Sequence, residues 1–190
     1  MMTRYEEEKR NSICWFSKAS DLRAAAAVLW ASMNSDSRKV AIELGLGEGF
    51  DMSVALPRVY RMVCGMSIEL LLKTIIVARE GKQPKPIHIL RDLAADAGVA
   101  YTPEQCDLLD VLSHAIIWDG KYPVPKDEES CRELVRLERE RLFDKQPVGE
   151  SGLKILSWNG ALDWDGYSEL WTIANSAMCE VVDWLEKQDV

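Results

Sequence analysis

Glu69 and Lys73 stand one helical turn apart inside an otherwise apolar run, VYRMVCGMSIELLLKTIIVAR, from Val59 to Arg79. An acid preceding a base at that spacing is the favourable order for a helical ion pair. Such a pair either fixes how neighbouring helices dock or lines the mouth of a groove that recognises phosphate or a partner chain. His88 follows Pro86-Ile87 at the start of a helix, where its ring would bond loop carbonyls and fix the turn. Acid–base work by His88 would require a second polar group within hydrogen-bond reach. His114, among Leu112, Ala115 and Ile116, reads as a satisfied, half-buried histidine.

Charge is distributed unevenly around these residues. From Arg58 to Arg91 the bases are Arg58, Arg61, Lys73, Arg79, Lys82, Lys85 and Arg91, against only Glu69 and Glu80. This makes a local positive region that phosphate or RNA can use, that an acidic partner can dock on, or that is a solvated loop without a role. Trp158, Trp164, Tyr167 and Trp171 crowd the entry to the last helix. Aromatic faces there serve core packing, an interface hot spot or base stacking.

The bulk properties exclude several classes. A chain of 190 residues suits one domain with a sizeable core. A net charge of -8 argues against general charge-driven binding to nucleic acid, though not against a local basic patch. Five cysteines, at 14, 64, 106, 131 and 179, are scattered without a CxxC pair, which suits reduced thiols in a cytoplasm. Two histidines far apart in sequence give no metal-ligand cluster, and no cofactor motif is present. The N-terminus lacks a signal-peptide layout. Glu69 and Lys73 interrupt the longest apolar run, against a membrane span.

The periodicity predicts an all-α chain. Residues 1–17 read as a flexible start, and 18–190 as a single domain. Ser20-Asp21 is positioned to cap a first helix whose apolar face is Leu22, Ala25, Ala26, Leu29 and Met33. A short helix after Ser35 should break at Gly45, Gly47 and Gly49. The central helix should begin near Asp51 or Ser53 and end at Gly81. Further helices are expected over 88–97, from the Thr102 cap to about Asp119, over 127–143 and over 164–187. The 127–143 helix is strongly charged, acids first and bases last, with a thin stripe of Leu134, Val135, Leu137 and Leu142. Residues 144–163 read as a loop, and no strand is predicted.

The segment SIELLLKTIIVAREGKQPKPIHILRDLAADAGV, followed after a helix by WDGKYPVP, resembles the HEPN family of helical nucleotide- or RNA-associated domains. The likeness rests on Glu69 and Lys73 in a leucine-rich helix and on His88, Leu90 and Leu93 opening the next. It also rests on the aromatic extended turn from Trp118 to Pro125, similar to the family's RYP element. It implies an up-and-down helical bundle, here with an extra N-terminal helix and a charged helical insertion. It also implies a homodimer, a nucleotide or RNA ligand or an antitoxin-like protein partner, and a toxin–antitoxin or defence setting. RNA-cutting members carry an arginine a few residues before a histidine. His114 lacks one at that distance, and the nearest arginine before His88 is Arg79, nine positions back. The reading is therefore a non-catalytic binding module with no catalytic residue assigned. Its ligand contacts are expected at Lys73, Lys82, Lys85, His88, Arg91, Lys121 and Tyr122. The alternatives are a diverged, metal-independent ribonuclease using His88 or His114 with Arg91, and a structural dimerisation domain.

Overall fold

A computed structural model describes residues 3–119, 122, 124–149 and 153–187. It is mostly helical, as the periodicity predicts. The organising element is α5 (Pro57–Glu80), opened by a proline at its first position and closed by Gly81 in the left-handed region at φ 62°. Fifteen of its 24 residues are buried, on every side of the helix, as expected for the inner member of a bundle. The approach to it differs from the expectation. A separate short helix, α4 (Met52–Ala55), precedes α5 and is capped by Asp51.

Around α5 pack α2 (Ser12–Asn34), α6 (Leu90–Asp96), α7 (Pro103–His114) and α9 (Trp164–Glu186). Ala19 and Ala26 are fully buried on α2, and their small size lets that helix lie close to α5. The start of α2 corrects the sequence expectation. Asn11, not Ser20-Asp21, caps it, accepting from the Ile13 N–H at 3.0 Å. Ser20 and Asp21 lie inside the helix because Phe16, ahead of them, already packs against the core. The stretch expected to be loose contains α1 (Arg4–Arg10), which buries no residue. Between α2 and α4, α3 (Ser37–Glu43) ends just before Gly45, as anticipated.

Thr102 caps α7 in a full capping box with Gln105. The chain then widens into a π-helical turn over Ala115–Asp119. Gly65 of α5 faces this turn: a Cβ there would lie 2.9 Å from the Leu112 carbonyl oxygen and from Ile116 Cγ1. The two segments therefore meet at backbone distance. The charged helix is α8 (Glu128–Arg141), capped by Asp127. It buries Leu134 and Leu137, whereas Val135 of the predicted stripe is exposed.

One small two-stranded sheet accompanies the helices. β1 (Phe143–Pro147) and β2 (Lys154–Trp158) form an antiparallel hairpin where a loop was expected, with Phe143 opposite Trp158 and Pro147 opposite Lys154. Neither strand shows the apolar–polar alternation of a half-buried strand, because both faces of the hairpin are largely exposed. Of the aromatic group, Tyr167 and Trp171 are core residues. Arg23 of α2 lies over the Trp171 ring at 5.0 Å.

Candidate functional site

Three of the residues singled out by type meet at one point. Lys73 Nζ donates to Glu69 Oε1 at 2.6 Å, and His88 Nδ1 lies 3.0 Å from Glu69 Oε2. The carboxylate and ammonium are buried, at 8% and 7% side-chain exposure, while the His88 side chain is 49% exposed. The helix positions the first two by its 3.6-residue repeat. The third arrives from the loop between α5 and α6, which Gly81 turns and buried Pro84 holds against the body. His88 thus takes a carboxylate from α5 rather than the loop carbonyls expected for it.

The electrostatics of this cluster follow from its order. Lys73 neutralises Glu69 where water cannot, so an anion approaching His88 meets no net negative charge. Glu69 Oε2 holds Nδ1 and thereby the ring plane, leaving Nε2 without a protein hydrogen bond among the described residues. A histidine so held presents one nitrogen outward, as an acceptor when neutral and as a donor when protonated.

The remaining candidates separate. Arg91 turns to α7, where its guanidinium is within 3.2 Å of Asp107 Oδ1 and also pairs with Asp110. The bond to Asp110 raises its already high pKa further. Lys85 pairs with Asp96 at 3.0 Å on an exposed surface. Arg79 donates to the Ala97 carbonyl at 2.5 Å and so caps the C-terminal end of α6. Arg61 binds Glu138 of α8 at 2.7 Å. Lys82 is exposed. Tyr122 is exposed beside Trp118, ring centroids 6.0 Å apart. Lys121 lies outside the described residues. Most of the positive region seen in sequence is therefore matched by carboxylates or carbonyls within the fold.

Sequence reasoning missed the acidic face that does this matching. Asp107 and Asp110 are three residues apart on α7, and Asp107 also takes Arg141 at 2.8 Å. That i, i+3 spacing was the available signal. It also missed Ser113, whose hydroxyl accepts from the Leu90 N–H at 2.9 Å and donates to the Leu109 carbonyl at 2.8 Å. Ser113 supplies from α7 the cap that α6 lacks at its own Ile89.

A cavity of about 810 Å³ lies elsewhere, between the end of α7 and α8, and is lined by His114, Asp127, Ser130, Glu133 and Arg136 among others. His114 Nδ1 is buried there without a hydrogen-bond partner among the described residues, so the satisfied histidine expected at this position is not found. The cavity's bases are engaged: Arg132 with Glu128, and Arg136 with both Glu133 and Glu140. Hydrogen bonds from Arg136 hold the Glu133 carboxyl below its usual range. The cleft is lined by Asp127, Glu129 and Glu133 against two arginines that are both paired, so its lining does not favour a phosphate.

Among the described residues no group of histidine, cysteine, aspartate and glutamate side chains is arranged to hold a metal ion. No described helix is long and apolar enough to cross a membrane. No protein-family model matches the chain, and neither does any curated protein or solved structure compared with it.

Proposed function

We propose that the chain is a non-catalytic, HEPN-like helical module that binds a phosphate-bearing ligand, a nucleotide or RNA, at His88 and the Lys82–Lys85 loop. The supporting observation is the Glu69-held imidazole. Its Nδ1 is committed to a buried carboxylate, its Nε2 is open, and Lys73 removes the charge that would repel an anion. When the ring is protonated, Nε2–H donates to a phosphate oxygen while Nδ1–H donates to Glu69, and such charge-assisted bonds are the stronger kind. Lys82, on the same loop, adds a flexible cation. A homodimer, an antitoxin-like partner and a toxin–antitoxin or defence setting belong to the same reading, through the HEPN resemblance. Binding is favoured over cleavage because Arg91, which a ribonuclease reading would enlist, is already held by Asp107 and Asp110.

The test is retention of a radiolabelled nucleotide set and a short single-stranded RNA at low salt. Wild type should retain at least one of them. His88→Ala should lose retention while keeping the wild-type circular dichroism spectrum, and Lys82→Ala should weaken it and flatten its salt dependence. No retention by wild type would sink the ligand reading. RNA cleavage that vanishes in folded His88→Ala would replace binding with catalysis.

A further inference from the structure

Among the described residues neither edge of the hairpin is paired, and the two edges differ in how they are protected. The Val148 N–H bonds the Leu153 carbonyl at 2.9 Å, and the Asn159 N–H bonds the Leu142 carbonyl at 3.1 Å. With the register between them, alternate pairs 144/157 and 146/155 are the hydrogen-bonded ones. The N–H and C=O groups of Phe143, Lys145 and Pro147 therefore face outward on β1, and those of Lys154, Leu156 and Trp158 face outward on β2. Pro147 has no N–H to offer, and with Lys145 it blunts the β1 edge in the usual way. The β2 edge carries no proline. Among the described residues its outward backbone groups make no hydrogen bond outside the hairpin.

This open edge is also apolar. Ile155 is 58% exposed and Leu156 43%, with Leu153 and Trp158 exposed beside them. A two-stranded hairpin alone is marginal in water and gains stability from further strands or from packing against a helix; here Phe143 packs against the core while β2 stays largely exposed. An exposed apolar edge strand is a template for another strand.

We infer that β2 pairs antiparallel with β2 of a second copy of this chain, making a four-stranded sheet across a two-fold axis at Leu156. The choice of occupant rests on self-complementarity. Centring the pair on Leu156 is the register that engages all three outward positions, giving six backbone hydrogen bonds by the alternation above. Leu156 then faces Leu156 of the partner subunit. Lys154 faces Trp158 of the partner subunit, an ammonium against an indole, which is an attractive pair. Ile155 lies diagonal to its own copy, within reach for a long side chain. The Lys154–Trp158 contact occurs twice, and the Leu156 and Ile155 self-pairs lie about the axis, as a two-fold interface allows. An unrelated strand has no reason to supply leucine and tryptophan at these positions. The inference is independent of the ligand reading, since it uses no residue of the His88 cluster.

The experiment measures the mass of the full chain by sedimentation equilibrium, with amide exchange read at single residues. Wild type should be a dimer, and exchange at the Lys154, Leu156 and Trp158 amides should slow as concentration rises. The Ile155 and Ser157 amides, bonded within the hairpin, should not change. Leu156→Pro removes one outward N–H per copy, as Pro147 does on the other edge. It should weaken the dimer by roughly tenfold or more while the helical signal stays native. Leu156→Lys keeps the N–H but sets two ammonium groups against each other, and should weaken the dimer too; it decides the matter if the proline variant misfolds. A wild type that stays monomeric at the highest attainable concentration would overturn the inference. So would a dimer that both folded variants leave intact.

Discussion

The buried pair Glu69–Lys73 and the exposed ladder Glu133–Arg136–Glu140 use the same chemistry across about one helical turn. In the first, both groups are below a tenth exposed, and the bond is 2.6 Å. In the second, all three side chains are 40% exposed or more, with bonds of 2.7 Å. Similar lengths hide different energetics. On α8 the ions exchange water for each other at little net gain, and salt screens them. On α5 desolvation has already been imposed by the surrounding leucines, so each ion depends on its partner. The first arrangement orders a histidine and excludes alternatives; the second keeps a surface helix soluble.

The sharpest way to break this contrast is to remove one buried partner. Glu69→Ala should cost about 3–5 kcal/mol in urea unfolding, because Lys73 is left buried and unpaired. The double variant Glu69→Leu with Lys73→Met should recover most of that loss. It should still free the His88 ring, visible as a change in its imidazole resonances. If the single and double variants are equally unstable, the pair is not held by its charges.

Next in size, Gly65→Ala should cost about 1–3 kcal/mol by overpacking, since its Cβ would press on the Leu112 carbonyl and Ile116. This probes the centre of the molecule without touching a charge. Asp51 offers a titrating counterpart at the surface. Its carboxyl accepts from the Ser53 hydroxyl at 2.6 Å, the Ser37 hydroxyl at 2.7 Å and the Ser53 N–H at 2.9 Å. These bonds, that of the Ser53 hydroxyl first, lower its pKa from 3.8 to about 2. A depressed folded value means stability present above 3.8 and lost as pH falls through about 2. Asp51→Asn should therefore flatten the acid limb of Tm against pH, with wild type and variant converging at the acid end. The smallest effect belongs to the ladder. Arg136→Ala should leave the urea midpoint near wild type, and any difference should shrink further in high salt.

Much of the helical framework was legible because its signals are local. Thr102 with Gln105, Asp127 ahead of its acids and Gly81 after the apolar run each act within one turn of chain. The errors lie where distant packing outranks local preference. Ser20-Asp21 is a good cap by type, yet Phe16 finds the core and draws the helix back to Asn11. The hairpin at 143–147 and 154–158 has no alternation to read, since Phe143 packs against the core and most other positions are exposed.

The candidate site divides in the same way. By itself the sequence determined that Glu69 and Lys73 would pair, because four residues of helix bring them together whatever surrounds them. It could not determine that His88, nineteen positions on, would close on the other carboxylate oxygen. Nor could it show that Arg61, Arg79, Lys85 and Arg91 would each find a partner. A run of bases in sequence becomes a binding surface only if the fold leaves it unmatched, and that depends on acids and carbonyls brought from elsewhere in the chain. Tertiary structure decided which cations were consumed, and it left the imidazole of His88 and the ammonium of Lys82 facing out.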